Sequence, residues 1–349
     1  MLSRRNALSA LAGAVVWPFD SAQADAPLRR TRPMFGSPAD VIVRPARGGA
    51  VAADRAVDAA MAGLERLNRE WNAWKPGELG RLNAALVQGR SERVAPDLLA
   101  LIRLSQVMER RTGGLFNAGI GGIVGAWGFH DDVMRPGQRP SAAVLAPWRH
   151  AAPSLSQLVV EGDRVRCDHP WLRLDFGGIA KGVAIDQALD RLAEHGVRDA
   201  VVNLGGNLAT RGSAGGRPWQ IGIRDPQGEG LVALVATHER EAVVTSGSYE
   251  RFRVLDGERM THIIDPRLGE PAPGLVSVTV LHPSAAFADA AATALLVAGP
   301  GGWRTLAERL DLRQVLVIGA DGRGAVTAAL ASRLAFAAPR WTSRLTVVG

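Results

Sequence analysis

From residue 200 to residue 281 the chain runs through strand-like segments without an intervening helix. The segments are 200–204, 219–224, 231–236, 242–245, 251–255 and 275–281, apolar or alternating, with Gly, Pro and Asp between them. Parallel neighbours need crossovers of roughly a dozen residues or more, normally helical, so strands this closely spaced pair antiparallel. Helical spacing appears on either side. Val57, Met61, Leu64 and Leu67 lie on one face of residues 50–71. Pro96 opens a helix with Leu98, Leu101, Ile102 and Met108, which Gly113-Gly114 closes. Helices are also expected after Gly182 through Leu192, over 288–297 and over 303–310. Strands are expected over 34–43, 172–176 and 315–318, with a hairpin of 158–160 and 165–167. Residues 78–83 read as a loop with helical tendency, and 117–155, rich in Gly, Pro and Ala, as an irregular excursion. There is no strict strand–helix–strand alternation and no fixed-period repeat. The expected class is α+β, with mainly antiparallel sheets and packed helices.

The 349 residues suffice for a large single core, and 47% hydrophobic with 21% charged residues excludes a disordered chain. The net charge of +7 comes from scattered arginines without a block of like charges, which argues against a nucleic-acid surface. Ser3-Arg4-Arg5 precedes a short apolar run, and Ala22-Gln23-Ala24 offers a small-residue cleavage site. This start resembles a twin-arginine export signal. The expected division is a signal peptide at 1–24 and one domain at 25–349, located in a bacterial periplasm. Cys167 is the only cysteine, so no disulfide forms within the chain, and no cysteine near the cleavage site could carry a lipid anchor.

Four segments carry candidate chemistry. Residues 174–182 (LDFGGIAKG) lead from a strand through a Gly-rich turn into a helix, where backbone N–H groups can approach an anion. Lys181 stands at its mouth and is one of only two lysines, the other being Lys75. Asp289 and Thr293 sit four apart on a helix, a hard-oxygen pair suited to Mg²⁺. Residues 245–251 (TSGSYER) and 261–266 (THIIDP) offer small hydroxyls and His262, which can exchange a proton near neutral pH. Trp71, Trp74 and Phe116 could stack on a planar ring or serve as core. The other six histidines, His130 among them, read as structural.

In order and spacing these segments resemble the ApbE family, the FAD:protein FMN transferases. The motifs are Trp74-Lys75 through Leu82-Asn83, Gly114-Leu115-Phe116-Asn117, Trp127-Gly128-Phe129, the LDFGGIAKG stretch, Val202-Asn203-Leu204-Gly205-Gly206-Asn207, Ile223-Arg224-Asp225-Pro226, TSGSYER, His262-Ile263-Ile264-Asp265-Pro266 and the ADAAATAL run around Asp289. The resemblance implies a periplasmic, Mg²⁺-dependent enzyme. It would cleave FAD and transfer FMN to a Thr or Ser hydroxyl of an acceptor protein that carries a flavinylation motif, releasing AMP. Carried over position by position, the metal shell is Asp289 and Thr293 with the carbonyls of Ala180 and Ala292. FAD contacts fall on Met34, Trp74, Leu115, Phe116, Asn117, Gly177, Val183 and Ile263. The chain departs from the family at Asn117, Val183 and Ser248, where Asp, Tyr and Asp are frequent. His262 is the candidate for taking the acceptor's proton, and Lys181 for supporting the loop or meeting a phosphate. Hydrolysis of FAD to FMN and AMP, or FAD carriage by a non-catalytic maturation protein, are the alternative functions.

Overall fold

The computed structural model describes residues 15–16, 27–46 and 48–349. Apart from Val15–Val16, the expected export signal lies outside the described residues. Nine strands form the central sheet, in the order Leu28–Met34, Ser37–Arg44, Asp199–Leu204, Asn207–Arg211, Arg240–Gly247, Leu275–His282, Val315–Gly319, Gly324–Thr327 and Leu345–Val348. Every neighbouring pair is antiparallel except the last, Gly324–Thr327 with Leu345–Val348, which is parallel. The class is α+β, as the spacing of the strands predicts.

Successive side chains on a strand point to opposite faces, and both faces of this sheet are covered. Val41, Val43, Ala200, Val202, Ala242, Val244, Val278, Val280, Val315 and Val317 belong to the core beneath the helices. The residues between them, including Ile42, Val201, Val243, Leu316 and Ile318, form a second core with Trp219, Ile221, Val235 and Trp341 on the far side. This double burial is why several strands read as continuous apolar runs.

The helices Ala50–Glu70, Ala180–Glu194 and Ala285–Arg309 form the layer over the first face. The two expected C-terminal helices are both present within Ala285–Arg309, separated where Gly299 adopts a non-helical φ of 70° ahead of Pro300. Within this layer, Ala180–Glu194 and Ala285–Arg309 cross at Gly182. A Cβ there would stand 2.3 Å from the Ala285 carbonyl oxygen and 2.7 Å from the Ala286 Cα. Backbone cannot yield as a side-chain end can, so Gly182→Ala should destabilise the fold by about 1–3 kcal/mol or more. Denaturant unfolding of the variant checks this; an unchanged midpoint would show that the helices can separate at no cost.

Three local expectations need correction. Residues 78–83 are part of a helix, Glu78–Val87, whose Leu79, Leu82 and Leu86 are buried. Residues 172–176 are not a strand: apart from one isolated bridge between Ile120 and Arg173, their backbone pairs irregularly. The Asn83 side chain replaces a strand partner, accepting from the Leu174 N–H at 2.7 Å and donating to the Leu174 carbonyl at 2.9 Å. The excursion at 117–155 contains two short helices, Gly121–Ala126 and Ala142–His150, and its apolar residues make a third core with Trp127, Phe129, Trp148 and Ile264.

Candidate active site

One cleft gathers most of the chemistry-bearing residues. Its floor is where the Ala180–Glu194 and Ala285–Arg309 helices meet the sheet. Asp289 is 2% exposed there. One of its carboxylate oxygens accepts from the Gly182 N–H and the other from the Asn207 amide, each at 2.9 Å. The Asn207 oxygen in turn accepts from the Thr245 N–H at 3.3 Å. Burial pushes the Asp289 carboxyl above its ordinary range, opposed by the Lys181 charge and these two donors. Among the described residues Asp289 has no ion-pair partner within salt-bridge distance, so a cation beside it would relieve its desolvation.

Thr293 lies one helical turn on. Its hydroxyl donates to the Asp289 carbonyl at 3.1 Å and lies 3.2 Å from the Ser246 hydroxyl. A Cβ on Gly178 would come within 3.0 Å of that same Thr293 oxygen, so glycine lets the loop backbone close on it. The donors assembled here are a carboxylate and two hydroxyls. This hard-oxygen set fits Mg²⁺, which typically takes one or two carboxylates and leaves remaining positions to water and phosphate. Ala180, two residues before Gly182, and Ala292, next to Thr293 in the chain, are buried, and neither is among the residues lining the cleft.

His262 also lines the cleft. Its Nδ1 lies 2.9 Å from the Arg251 carbonyl. A carbonyl only accepts, so Nδ1 holds the proton and Nε2 carries the lone pair. Burial pushes the His262 pKa down to about 4, reinforced by the charges of Arg251 and Lys181. The ring is therefore neutral at pH 7 with a defined tautomer, the state of a proton acceptor. Lys181 lines the same cleft, and its charge acts on both His262 and Asp289.

Of the residues expected from sequence, Trp74, Leu115, Phe116, Asn117, Gly177, Lys181, His262, Ile263, Asp289 and Thr293 line this cleft. Met34 and Val183 are not among the lining residues; Met34 is 4% exposed in the main core, and Val183 packs against it. Asn117 is held at both ends, donating to the Pro153 carbonyl and accepting from the Gly119 N–H, each at 2.7 Å. Two contributors escaped sequence reasoning as individual side chains. Asn207 was visible only inside a Gly-Gly-Asn motif, while Asp175 was visible only as the start of the Gly-rich turn. Asp175 accepts from the Gly177 N–H at 2.8 Å, and its other oxygen lies 2.8 Å from His130 Nε2. Burial raises the Asp175 pKa, but His130, the Gly177 N–H and Arg251 outweigh it, and the carboxyl sits below its ordinary value.

This arrangement sits within a stretch matched by the ApbE family model, which covers residues 35–317. The chain belongs to the ApbE family. It is 42% identical over 285 residues to the FAD:protein FMN transferase of Rhodobacter capsulatus, covering 82% of this chain and 54% of that protein. The chain thus spans about half the length of that relative. Identity to the FAD:protein FMN transferase of Vibrio cholerae is 31% over 262 residues, covering 74% of this chain and 78% of that one. Among solved structures, the apo flavinyl transferase ApbE of Pseudomonas stutzeri superposes with a TM-score of 0.76 at 29% identity, covering 92% of this chain and 99% of that chain. The ApbE protein of Thermotoga maritima gives a TM-score of 0.79 at 24% identity, covering 88% and 99%, a likeness of fold.

Proposed function

We propose that this ApbE-family chain transfers FMN from FAD to a Thr or Ser hydroxyl of an acceptor protein, with release of AMP. The observation that carries the reading is that a neutral, tautomer-fixed His262 and the buried Asp289–Thr293 pair line one cleft. The acceptor oxygen attacks the phosphorus of the FMN half, the bond to the bridging oxygen breaks, and AMP departs with that oxygen. His262 Nε2 accepts the hydroxyl proton. Lys181, on the same cleft, would meet the negative charge of the pyrophosphate, and Trp74 and Phe116 would offer aromatic surface to the isoalloxazine or adenine ring. Asp289 and Thr293, with the Ala180 and Ala292 carbonyls, would hold Mg²⁺, which when bound neutralises phosphate charge. Asn207 and the Gly182 N–H fix the carboxylate that would do so.

The test is mass analysis of an acceptor protein incubated with FAD, Mg²⁺ and this protein. A covalent FMN increment on the acceptor is the expected result. Free FMN and AMP without the increment would make the chain a hydrolase, and intact bound FAD would make it a carrier. Residues 321–327 (DGRGAVT), the nearest approach to an acceptor motif within the chain itself, form the turn and strand of a hairpin. The Thr327 hydroxyl is engaged there with the Val315 backbone, which supports a separate protein as the acceptor.

The reading includes export by the twin-arginine route to the periplasm, supported by Ser3-Arg4-Arg5 and Ala22-Gln23-Ala24. Replacing both Arg4 and Arg5 by Lys should leave the uncleaved precursor in the cytoplasm. Fractionation and immunoblotting check this; normal export of the double variant would remove the twin-arginine assignment.

A further inference from the structure

The sequence marks His130 as one more structural histidine, yet it touches two residues that line the cleft, Trp74 and Asp175. Its imidazole stacks on Trp74, with ring centroids 5.3 Å apart and planes 18° from parallel. Its Nε2 lies 2.8 Å from Asp175, the residue whose other oxygen holds the Gly177 N–H of the Gly-rich loop. Trp74 and Asp175 both line the cleft, and the His130 side chain is 20% exposed. Trp74 has a second neighbour in Arg251, whose guanidinium carbon is 5.2 Å from the ring centroid. That guanidinium is itself tied to the Phe129 and Asp131 carbonyls, each at 2.6 Å.

These contacts decide what the Trp74 indole can do. The loop that carries Trp74 follows the Ala50–Glu70 helix, and the Asn72 side chain closes its turn by accepting from the Trp74 and Lys75 N–H groups at 3.0 and 2.9 Å. That turn fixes the backbone, and the indole has His130 and Arg251 against its ring and Asp132 as a further side-chain neighbour. An imidazole free to rotate would be a poor platform. One whose nitrogen is bonded to a buried carboxylate presents a fixed face.

We infer that His130 is a positioning residue: held by Asp175, it sets the Trp74 indole in the orientation that receives a planar ring of FAD. The inference rests on the functional reading above. It places His130 outside the chemical step, so its loss weakens FAD binding and leaves turnover at saturation intact.

The experiment is a double-mutant cycle between Trp74→Ala and His130→Gln. Gln keeps a donor toward Asp175 and removes the stacked ring. His130→Phe, which keeps a ring and drops the hydrogen bond, is the second variant and serves where Gln impairs folding. Kd for FAD is read by flavin fluorescence, alongside KM and kcat. Trp74→Ala should raise Kd about three- to tenfold, the scale of one aromatic stack. Each His130 variant should raise Kd and KM within that range, with kcat within twofold of wild type. The double variant should bind no more weakly than Trp74→Ala alone, since residues acting through one contact are not additive. A wild-type Kd in His130→Gln or His130→Phe, or a double variant whose loss is the product of the two single losses, would overturn the inference. In those outcomes the wild type still binds and turns over FAD. A wild type that does not bind FAD would instead overturn the functional reading and this inference with it.

Discussion

Asp289→Asn should abolish Mg²⁺-dependent release of AMP from FAD, and Thr293→Ala should reduce it less. Asp289 offers a cation a full charge, while Thr293 offers a neutral oxygen. Lewis-acid help to a phosphoryl group is worth several kcal/mol, so the carboxylate's loss should cost on the order of a thousandfold or more in rate. The geometry also shows that the substitution is not silent structurally. Both carboxylate oxygens accept from N–H donors, Gly182 on one side and Asn207 on the other. An amide presents one acceptor and one donor, so its NH₂ must face one of those donors. If the Asn207 amide turns over to receive it, the contact from the Thr245 N–H is lost. A stability cost of about 1–3 kcal/mol is expected for the unmatched group. Thermal melting with and without Mg²⁺ separates the two effects. Mg²⁺ should raise the wild-type melting temperature and leave that of Asp289→Asn unmoved, because only a ligand bound to the native state stabilises it. Wild-type turnover with unaltered Mg²⁺ dependence in Asp289→Asn would show that the metal is held elsewhere.

How much of this site was legible beforehand depends on how local each piece is. Asp289 and Thr293 share a helix face, and four-residue spacing reveals that directly. The closing of a helix at Gly113 was legible too, because its φ of 65° is a conformation glycine adopts without strain. The partners of Asp289 were not, since Asn207 precedes it by 82 positions and only the fold joins them. The same holds for His130 and Asp175, 45 positions apart. The segment that carries His130, between 117 and 155, has neither helical nor strand periodicity, because most of its large apolar residues pack into a small separate core rather than onto the main sheet. The strand Leu28–Met34 escaped for another reason. It is an edge strand whose Arg29, Arg30 and Arg32 pair with acids of the neighbouring strand and helix, so it shows no apolar alternation. Residues 172–176 erred in the opposite direction: their apolar alternation comes from burial against the helices, while an asparagine side chain occupies the place of a strand.

His262→Gln should lower kcat for FMN transfer by about 10²–10⁴-fold, the usual worth of a positioned general base, with little change in the KM for FAD. The neutral ring is maintained by burial, with Arg251 and Lys181 adding to the effect, and its pKa of about 4 sets the pH behaviour. The acid limb of kcat attributable to this group falls near pH 4, far below the range where an exposed histidine titrates. Its contribution to stability has a definite sign. The unfolded chain takes up a proton at the ordinary histidine value of 6.5, whereas the native ring stays neutral down to about 4. The unfolded state therefore binds more protons between those values, and stability falls as pH drops through that window. Below about 4 both states are protonated and this group adds no further slope. Gln cannot titrate, so His262→Gln should lose less stability than wild type between pH 6.5 and 4 even as it loses activity throughout. Paired pH–rate and pH–melting series on the two proteins check both statements. A wild-type acid limb centred near 6.5 would mean that His262 is solvated and charged at mild acidity. An unimpaired kcat in His262→Gln would move the proton acceptor off this residue altogether.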